Sequence, residues 1–179
     1  MRLARLDSLS DIPAAEWNAL VPNQNPFLRH EFLSALERHG CVGESTGWLP
    51  WHLTARNESG RLLGVAPLYL KYNSYGEFVF DWSWAEAYRQ QGLSYYPKLV
   101  GAIPYTPATS PRLLLAADQP QPETTAWAMV EFALEESRRY GLSSIHWLFP
   151  PPGDLKPMQE QGFLTRLGCQ FHWRNRGYR

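Results

Sequence analysis

Cysteine is scarce: the 179-residue sequence has two, Cys41 and Cys169. Two thiols so far apart offer no disulfide framework, which points to a reducing compartment and a cytoplasmic location. Charge of one sign is also lacking. Lys plus Arg number 17 and Asp plus Glu number 17, so the basic excess of a simple nucleic-acid or anionic-membrane binder is missing. No uninterrupted apolar run approaches the ~18 residues that a membrane-spanning helix needs. The opening MRLARLDSLSDIP lacks the continuous apolar core of a secretory signal. No internal repeat or charge block divides the chain. Its 179 residues fit one domain with a sizeable core.

Aromatic residues, in contrast, are plentiful. There are eight Trp, and that much indole must be buried or used for stacking. The densest stretch is FVFDWSWAEAYRQQGLSYYPKLVGAIPYTPATSPRLLL at 78–115. It mixes Trp82, Trp84, Tyr88, Tyr95, Tyr96 and Tyr105 with four prolines and with Asp81, Lys98 and Arg112. Large amphipathic rings, charges and rigid turns together suit the wall of a substrate cleft; the alternative is a proline-rich surface segment with aromatics packed beneath it.

Around this stretch the patterning predicts an α/β chain. Residues 2–7 read as a short strand. Asp11 and Pro13 signal a helix over 14–20, and 30–39 reads as a second helix ended by Gly40. Trp51, Leu53 and Ala55 alternate with polar residues, as in a half-buried strand. With the turn at 57–60 and a strand over 61–71 they form a hairpin. Pro67 inside the second strand predicts an edge position or a bulge. Further helices are expected at 85–91, 123–140 and 155–161, and strands at 98–103, 112–116, 143–149 and 163–174. In the long helix, Trp127, Val130 and Leu134 share one face and Glu135 pairs with Arg139. The sum is a mixed sheet flanked by helices.

This order is similar to the GNAT acyltransferase fold. NPFLRHEFLSALERHG at 25–40, GVAPLYLK at 64–71, DWSWAEAY at 81–88, YYPKL at 95–99 and PYTPATSPRLL at 104–114 resemble the FemAB-like predicted N-acyltransferases, bacterial proteins of peptidoglycan biosynthesis or recognition. The resemblance implies an α/β (α+β) lobe with a GNAT-like, mostly antiparallel mixed sheet. GCQFHWRNRGY at 168–178 resembles the end of the first half of that family. Residues 1–179 are therefore expected to be the amino-terminal of two GNAT-like lobes, the second lobe being its partner. The implied reaction moves an acyl or aminoacyl group onto an amine. The donor to the full-length protein would be acyl-CoA or aminoacyl-tRNA, and the acceptor a small molecule or cell-wall precursor. A non-catalytic recognition module with the same fold is the alternative, and a homodimer formed through exposed apolar surface is a further expectation. Ordinary GNAT enzymes hold the coenzyme pyrophosphate on a glycine-rich loop before a helix. Here AADQPQPETTAW precedes the long helix, with no glycine and two prolines. No cofactor is expected on this lobe.

Such chemistry needs a base for the amine proton and donors for the carbonyl oxygen. Of the nearby carboxylates Glu77, Asp81 and Glu86, Asp81 is the base candidate, because apolar Phe80 and Trp82 would raise its pKa; its other role would be to cap the following helix. Lys98 and Arg112 either hold an anionic group or are plain surface charges. Tyr105, Thr106, Thr109 and Ser110 either line a polar pocket or serve turn chemistry. Trp82, Trp84, Tyr88 and Tyr96 would supply aromatic walls, and His30 either faces the cleft or is structural. Cys41 beside His39 reads as a loop thiol rather than a nucleophile. Cys169 and His172 form C-x-x-H without a second pair, on opposite faces of the expected strand, so no metal is expected. Arg174, Arg176 and Arg179 make a basic end that suits either an RNA contact, such as tRNA, or plain solvation.

Overall fold

The computed structural model describes residues 1–177. Arg179, read above with the basic end, lies outside the described residues. Two four-stranded sheets form the frame. The first runs β1 (Arg2–Leu6), β3 (His52–Arg56), β4 (Leu62–Ala66) and β7 (Leu114–Leu115), all antiparallel. The second runs β2 (Trp48–Pro50), β5 (Leu68–Lys71), β6 (Lys98–Gly101) and β8 (Ile145–Trp147). There β2–β5 and β5–β6 are antiparallel and β6–β8 is parallel. The parallel pair needs a crossover, and the 18-residue helix α4 (Pro122–Arg139) lies within it. This is the mixed, mostly antiparallel plan expected of the sequence.

Pro67 sits on neither an edge nor a bulge. It falls between β4 and β5, where one extended run passes from the first sheet to the second. Proline has no N–H to give to a ladder, so the joint is where it costs least. Opposite it, the Trp51 N–H donates to the Leu68 carbonyl (2.9 Å) and keeps the two hairpin arms in step. The bulge is elsewhere, between Ala55 and Arg56.

β3 is not half-buried. His52 and Thr54 are as enclosed as Leu53 and Ala55, because helices cover both faces of the first sheet. On one side α1 (Ala14–Asn18) and α2 (His30–Arg38) pack Trp17, Leu28 and Leu33 with Leu9 against Leu62, Val65 and Leu114. The Trp17 indole donates to the Leu28 carbonyl (2.8 Å), so its buried polar atom is satisfied. α1 begins after Pro13 without a side-chain cap; Asp11 instead belongs to a 3-10 turn capped by Ser8. α2 ends as expected, with Gly40 at φ +68°.

On the other side α4 presents Ala126, Met129, Val130 and Ala133 to Leu53, Ala55, Ala66, Leu68, Leu70 and Leu99. Val130 is buried as expected, but at the other two expected positions the buried stripe is one position out of phase with the sequence reading. Trp127 is 39% exposed, and Leu134 is only half-buried. Arg139 pairs with Glu136 (3.5 Å) rather than Glu135. The reason lies in the sheet: Gly64 leaves room for the Met129 sulfur, which a Cβ there would meet at 2.7 Å, and for the Thr125 methyl close beside it. Close approach at small residues sets the helix phase more strongly than the size of Trp127.

α3 (Trp82–Gln90) starts three residues earlier than expected and buries none of its side chains fully. α5 (Pro152–Glu160) closes the α4 side through Met158. The expected strand over 163–174 is absent among the described residues. Leu164, Leu167 and Phe171 are 94%, 96% and 99% exposed. Alternating apolar residues give strand propensity, but a strand needs a ladder partner, and this segment lies along no sheet edge.

Candidate functional site

The strand register of the second sheet places an unusual set of side chains on one face. Trp48 pairs with Lys71, Lys71 with Lys98, and Val100 with His146. Alternate residues share a face, so Lys71, Lys98 and His146 project together with Trp48, Tyr69 and Val100. Two lysines directly opposite each other repel. The chain answers with the segment at 72–96, which folds over this face and brings two carboxylates to Lys98 and a carbonyl and an amide oxygen to Lys71.

Lys98 is fully enclosed. Its ammonium donates to Glu77 Oε2 (2.8 Å), Asp81 Oδ2 (2.5 Å) and Ser74 Oγ (3.0 Å), which uses all three N–H donors. Asp81 Oδ2 also accepts from the Tyr95 hydroxyl (2.6 Å), and Ser74 Oγ meets the Tyr96 hydroxyl (2.7 Å). The Lys71 ammonium lies 3.8 Å from the centre of the Trp48 ring and donates to the Tyr75 carbonyl (3.1 Å) and Asn73 Oδ1 (3.3 Å). Burial, reinforced by the Lys98 charge, lowers Lys71 to about 7. Burial raises the Glu77 carboxyl above its usual range, with Lys98 opposing.

Asp81 moves the other way from the sequence expectation. Burial pushes its carboxyl up, but the hydrogen bonds from Lys98, Ser74 and Tyr95 outweigh this and hold it down. Its apolar neighbours point elsewhere: Phe80 is 72% and Trp82 54% exposed. Nor does Asp81 cap α3, although it stands at the N-cap position, because its side chain makes no cap hydrogen bond.

His146 is the least enclosed member of the group, its side chain 24% exposed. Its Nε2 lies 3.1 Å from Ser144 Oγ and its Nδ1 3.9 Å from Asp81 Oδ2. Burial, then the Lys98 charge, lowers the imidazole to about 4 against the pull of Asp81. Glu77, Asp81 and His146 offer three ligand atoms within 4.8 Å of one another, as a metal site would. The cation among them is the Lys98 ammonium, bonded to both carboxylates. Glu77 Oε1 and Asp81 Oδ1 remain buried without a hydrogen-bond partner, so the cluster is short of donors.

Beside this buried cluster stands an aromatic shelf. Phe80 and Trp82 touch at 5.3 Å between ring centres and Tyr75 meets Trp82 at 6.4 Å. Trp84 is also exposed. Tyr88 packs edge-on against Tyr95 (5.2 Å), which links α3 to the cluster.

The other expected site residues divide. Lys98, Tyr96 and Asp81 come together with Tyr88 near them. Arg112 is no surface charge. It is wholly enclosed, donating from Nε to the Leu148 carbonyl (2.6 Å), from Nη1 to Ser110 Oγ (2.7 Å) and from Nη2 to the Ala108 carbonyl (2.9 Å). It staples the proline-rich loop to the end of β8. The Tyr105 hydroxyl donates to the Cys41 carbonyl (2.7 Å), Thr106 bonds the Pro104 carbonyl within its turn, and Thr109 is exposed. His30 lies elsewhere: its Nε2 is 2.8 Å from the Leu9 carbonyl, in a concavity of about 530 Å³ lined also by Ser8, Ser10, Glu37 and Arg38. Lys71, Ser74, Ser144 and His146 were not singled out from sequence, and Tyr95 only as one ring of the 78–115 stretch. Lys71 closing the apolar run GVAPLYL was the available signal. So was His146, facing away from Ile145 and Trp147 in its strand.

The sequence profile of the FemAB-like family, described as peptidoglycan biosynthesis/recognition, matches residues 8–179. The chain belongs to the FemAB-like family. No curated protein sequence matches it. Solved structures similar to this FemAB-like chain are acetyltransferases. A ribosomal-protein-alanine N-acetyltransferase from Brucella melitensis biovar Abortus 2308 aligns with a TM-score of 0.56 at 16% identity, over 98% of this chain and 100% of the other. A probable acetyltransferase aligns at 0.57 and 13%, over 100% of both chains. The aminoglycoside 6'-N-acetyltransferase AAC(6')-Ih from Acinetobacter baumannii aligns at 0.51 and 10%, over 98% and 99%. At these identities the likeness is one of fold: the FemAB-like chain has the GNAT acetyltransferase architecture.

Proposed function

We propose that this chain is the substrate-binding lobe of an N-acyltransferase that moves an acyl or aminoacyl group onto an amine of a peptidoglycan precursor. One observation carries the reading. On a GNAT fold, a buried carboxylate pair keeps two oxygens, Glu77 Oε1 and Asp81 Oδ1, without hydrogen-bond donors. An amine is a donor of the right kind, and unpaired buried acceptors favour a ligand that supplies N–H groups. The exposed rings of Tyr75, Phe80, Trp82 and Trp84 are placed to stack on the rest of such an acceptor.

The donor side is proposed to lie in a second lobe. Here the turn before α4 is occupied by Gln119, which donates to the Leu63 and Ala116 carbonyls and accepts from Thr125 Oγ1. Pro122 then removes one N–H from the first helical turn. That turn is poorly suited to a pyrophosphate, which favours donors such as acyl-CoA or aminoacyl-tRNA held elsewhere. The same feature favours a second reading, a recognition module that binds the precursor and transfers nothing.

Incubation of the protein with acyl-CoA or aminoacyl-tRNA and a panel of amines, followed by mass spectrometry of the products, tests the reading. Acyl-amide formation that falls with Glu77→Gln is expected. Calorimetric binding of a precursor without transfer from any donor would favour the recognition module.

A further inference from the structure

We propose that His146 receives the amine proton during transfer, through Nε2, with Asp81 behind Nδ1 and Ser144 holding the ring; this rests on the acyltransferase reading above. Three observations converge on it. Asp81, the base expected from sequence, has its Oδ2 engaged by both Lys98 and Tyr95 and is 1% exposed. Lys98 is sealed by three acceptors. His146 is the cluster member with an open side, and its Nε2 meets the Ser144 hydroxyl, a contact that an incoming amine can replace.

The tautomer follows from its neighbours. Asp81 Oδ2 lies 3.9 Å from Nδ1, beyond hydrogen-bond length, and its negative charge favours the ring proton on that nitrogen. Nε2 is then an acceptor, and the Ser144 hydroxyl donates to it across 3.1 Å. Ser144 immediately precedes β8, two residues before His146, and its hydroxyl reaches the ring from there. The groups acting on the imidazole are Asp81, Lys98, Arg166 and the Tyr95 ring edge, 6.4 Å between centroids. Lys98 and Arg166 oppose a charge on the ring and Asp81 favours it. The ring is therefore neutral and proton-accepting at physiological pH.

The neutral acceptor amine, taking the place of the Ser144 hydroxyl at Nε2, attacks the carbonyl carbon of an activated ester or thioester. The N–C bond forms and the carbonyl carbon–oxygen or –sulfur bond breaks. One N–H proton passes to Nε2, and the imidazolium faces Asp81. The same proton then goes to the departing alkoxide or thiolate, which leaves as alcohol or thiol and returns His146 to neutrality.

The test uses the protein with acyl-CoA and aminoacyl-tRNA donors and an amine acceptor. His146→Gln is expected to lower kcat by about 10²–10⁴-fold with little change in KM, and added imidazole to restore part of the loss in His146→Gly. Ser144→Ala, which removes only the holding contact, is expected to cost under about tenfold, well below the loss of the base itself. Long-range 15N NMR of the wild type is expected to find the Nδ1–H tautomer. Wild-type kcat in His146→Gln, an Nε2–H tautomer, or a loss that imidazole does not touch and that tracks a fall in Tm would each overturn the proposal. If the wild type transfers nothing from any donor, the acyltransferase reading itself falls and the role of His146 with it.

Discussion

Lys71 and Lys98 are Cα partners across β5 and β6, and both of their ammonium groups are buried. The pair is tolerated because Glu77 and Asp81 bond Lys98 directly, while burial and the Lys98 charge lower Lys71, held by the Trp48 ring, Asn73 and Tyr75, to about 7. Removing one member should therefore expose the cost of the others. Lys98→Met leaves two enclosed carboxylates without their cation and is expected to destabilise the fold by about 3–5 kcal/mol. Urea unfolding measures this, and the triple change Lys98→Met, Glu77→Gln, Asp81→Asn should recover a large part of it.

The same substitution should alter what the cluster binds. With the ammonium gone, Glu77, Asp81 and His146 surround a space that a divalent cation fits. Zinc is expected to raise the Tm of Lys98→Met and to leave the wild type unchanged. Differential scanning fluorimetry with and without the metal reads the contrast.

The depressed pKa of His146 predicts a pH dependence of stability. Its folded value of about 4 lies below its reference value of 6.5. The unfolded chain therefore takes up this proton first, so the contribution is fully present above pH 6.5 and is lost as pH falls toward 4. At about 1.4 kcal/mol per pKa unit the loss is about 3 kcal/mol. Over that window the wild type should lose this much more stability than His146→Gln, in which the other titrations are shared and cancel.

The phase of α4 can be checked by two substitutions. Met129→Ala opens a cavity over Gly64 in the first sheet and is expected to cost about 2–5 kcal/mol. Trp127→Ala, at a position 39% exposed, should cost much less. Equal effects would return the helix to the face suggested by its largest side chain.

Local structure was largely legible in the sequence. The β3–β4 hairpin, the Gly40 stop of α2 and the approximate spans of all five helices followed from turn chemistry and periodicity. What was not legible depends on partners distant in the chain. The phase of α4 is set by Gly64 in another element, and Pro67 reads as an edge until the change of sheets is seen. The stretch at 163–174 has a strand's alternation and no strand to pair with among the described residues. The site divides in the same way. Asp81 and Lys98 stood out by composition. Their pairing, the role of Lys71 and the approach of His146 depend on the register of three strands, which no local pattern encodes. Two expectations were inverted: burial made Arg112 a staple of the loop, and hydrogen bonds from Lys98, Ser74 and Tyr95, acting against burial, made Asp81 more acidic.

The sequence has three lysines, Lys71, Lys98 and Lys156. The first two are enclosed, and only Lys156, 68% exposed at its side chain, presents an amine to solvent. Under the proposed acyl-transfer function, a protein would be exposed to acylation of its own amines. This one carries almost all of its surface positive charge on arginine, whose guanidinium stays protonated and does not act as a nucleophile. An amine-reactive ester applied to the native protein should mark Lys156 and the terminal amine, and reach Lys71 and Lys98 only after unfolding.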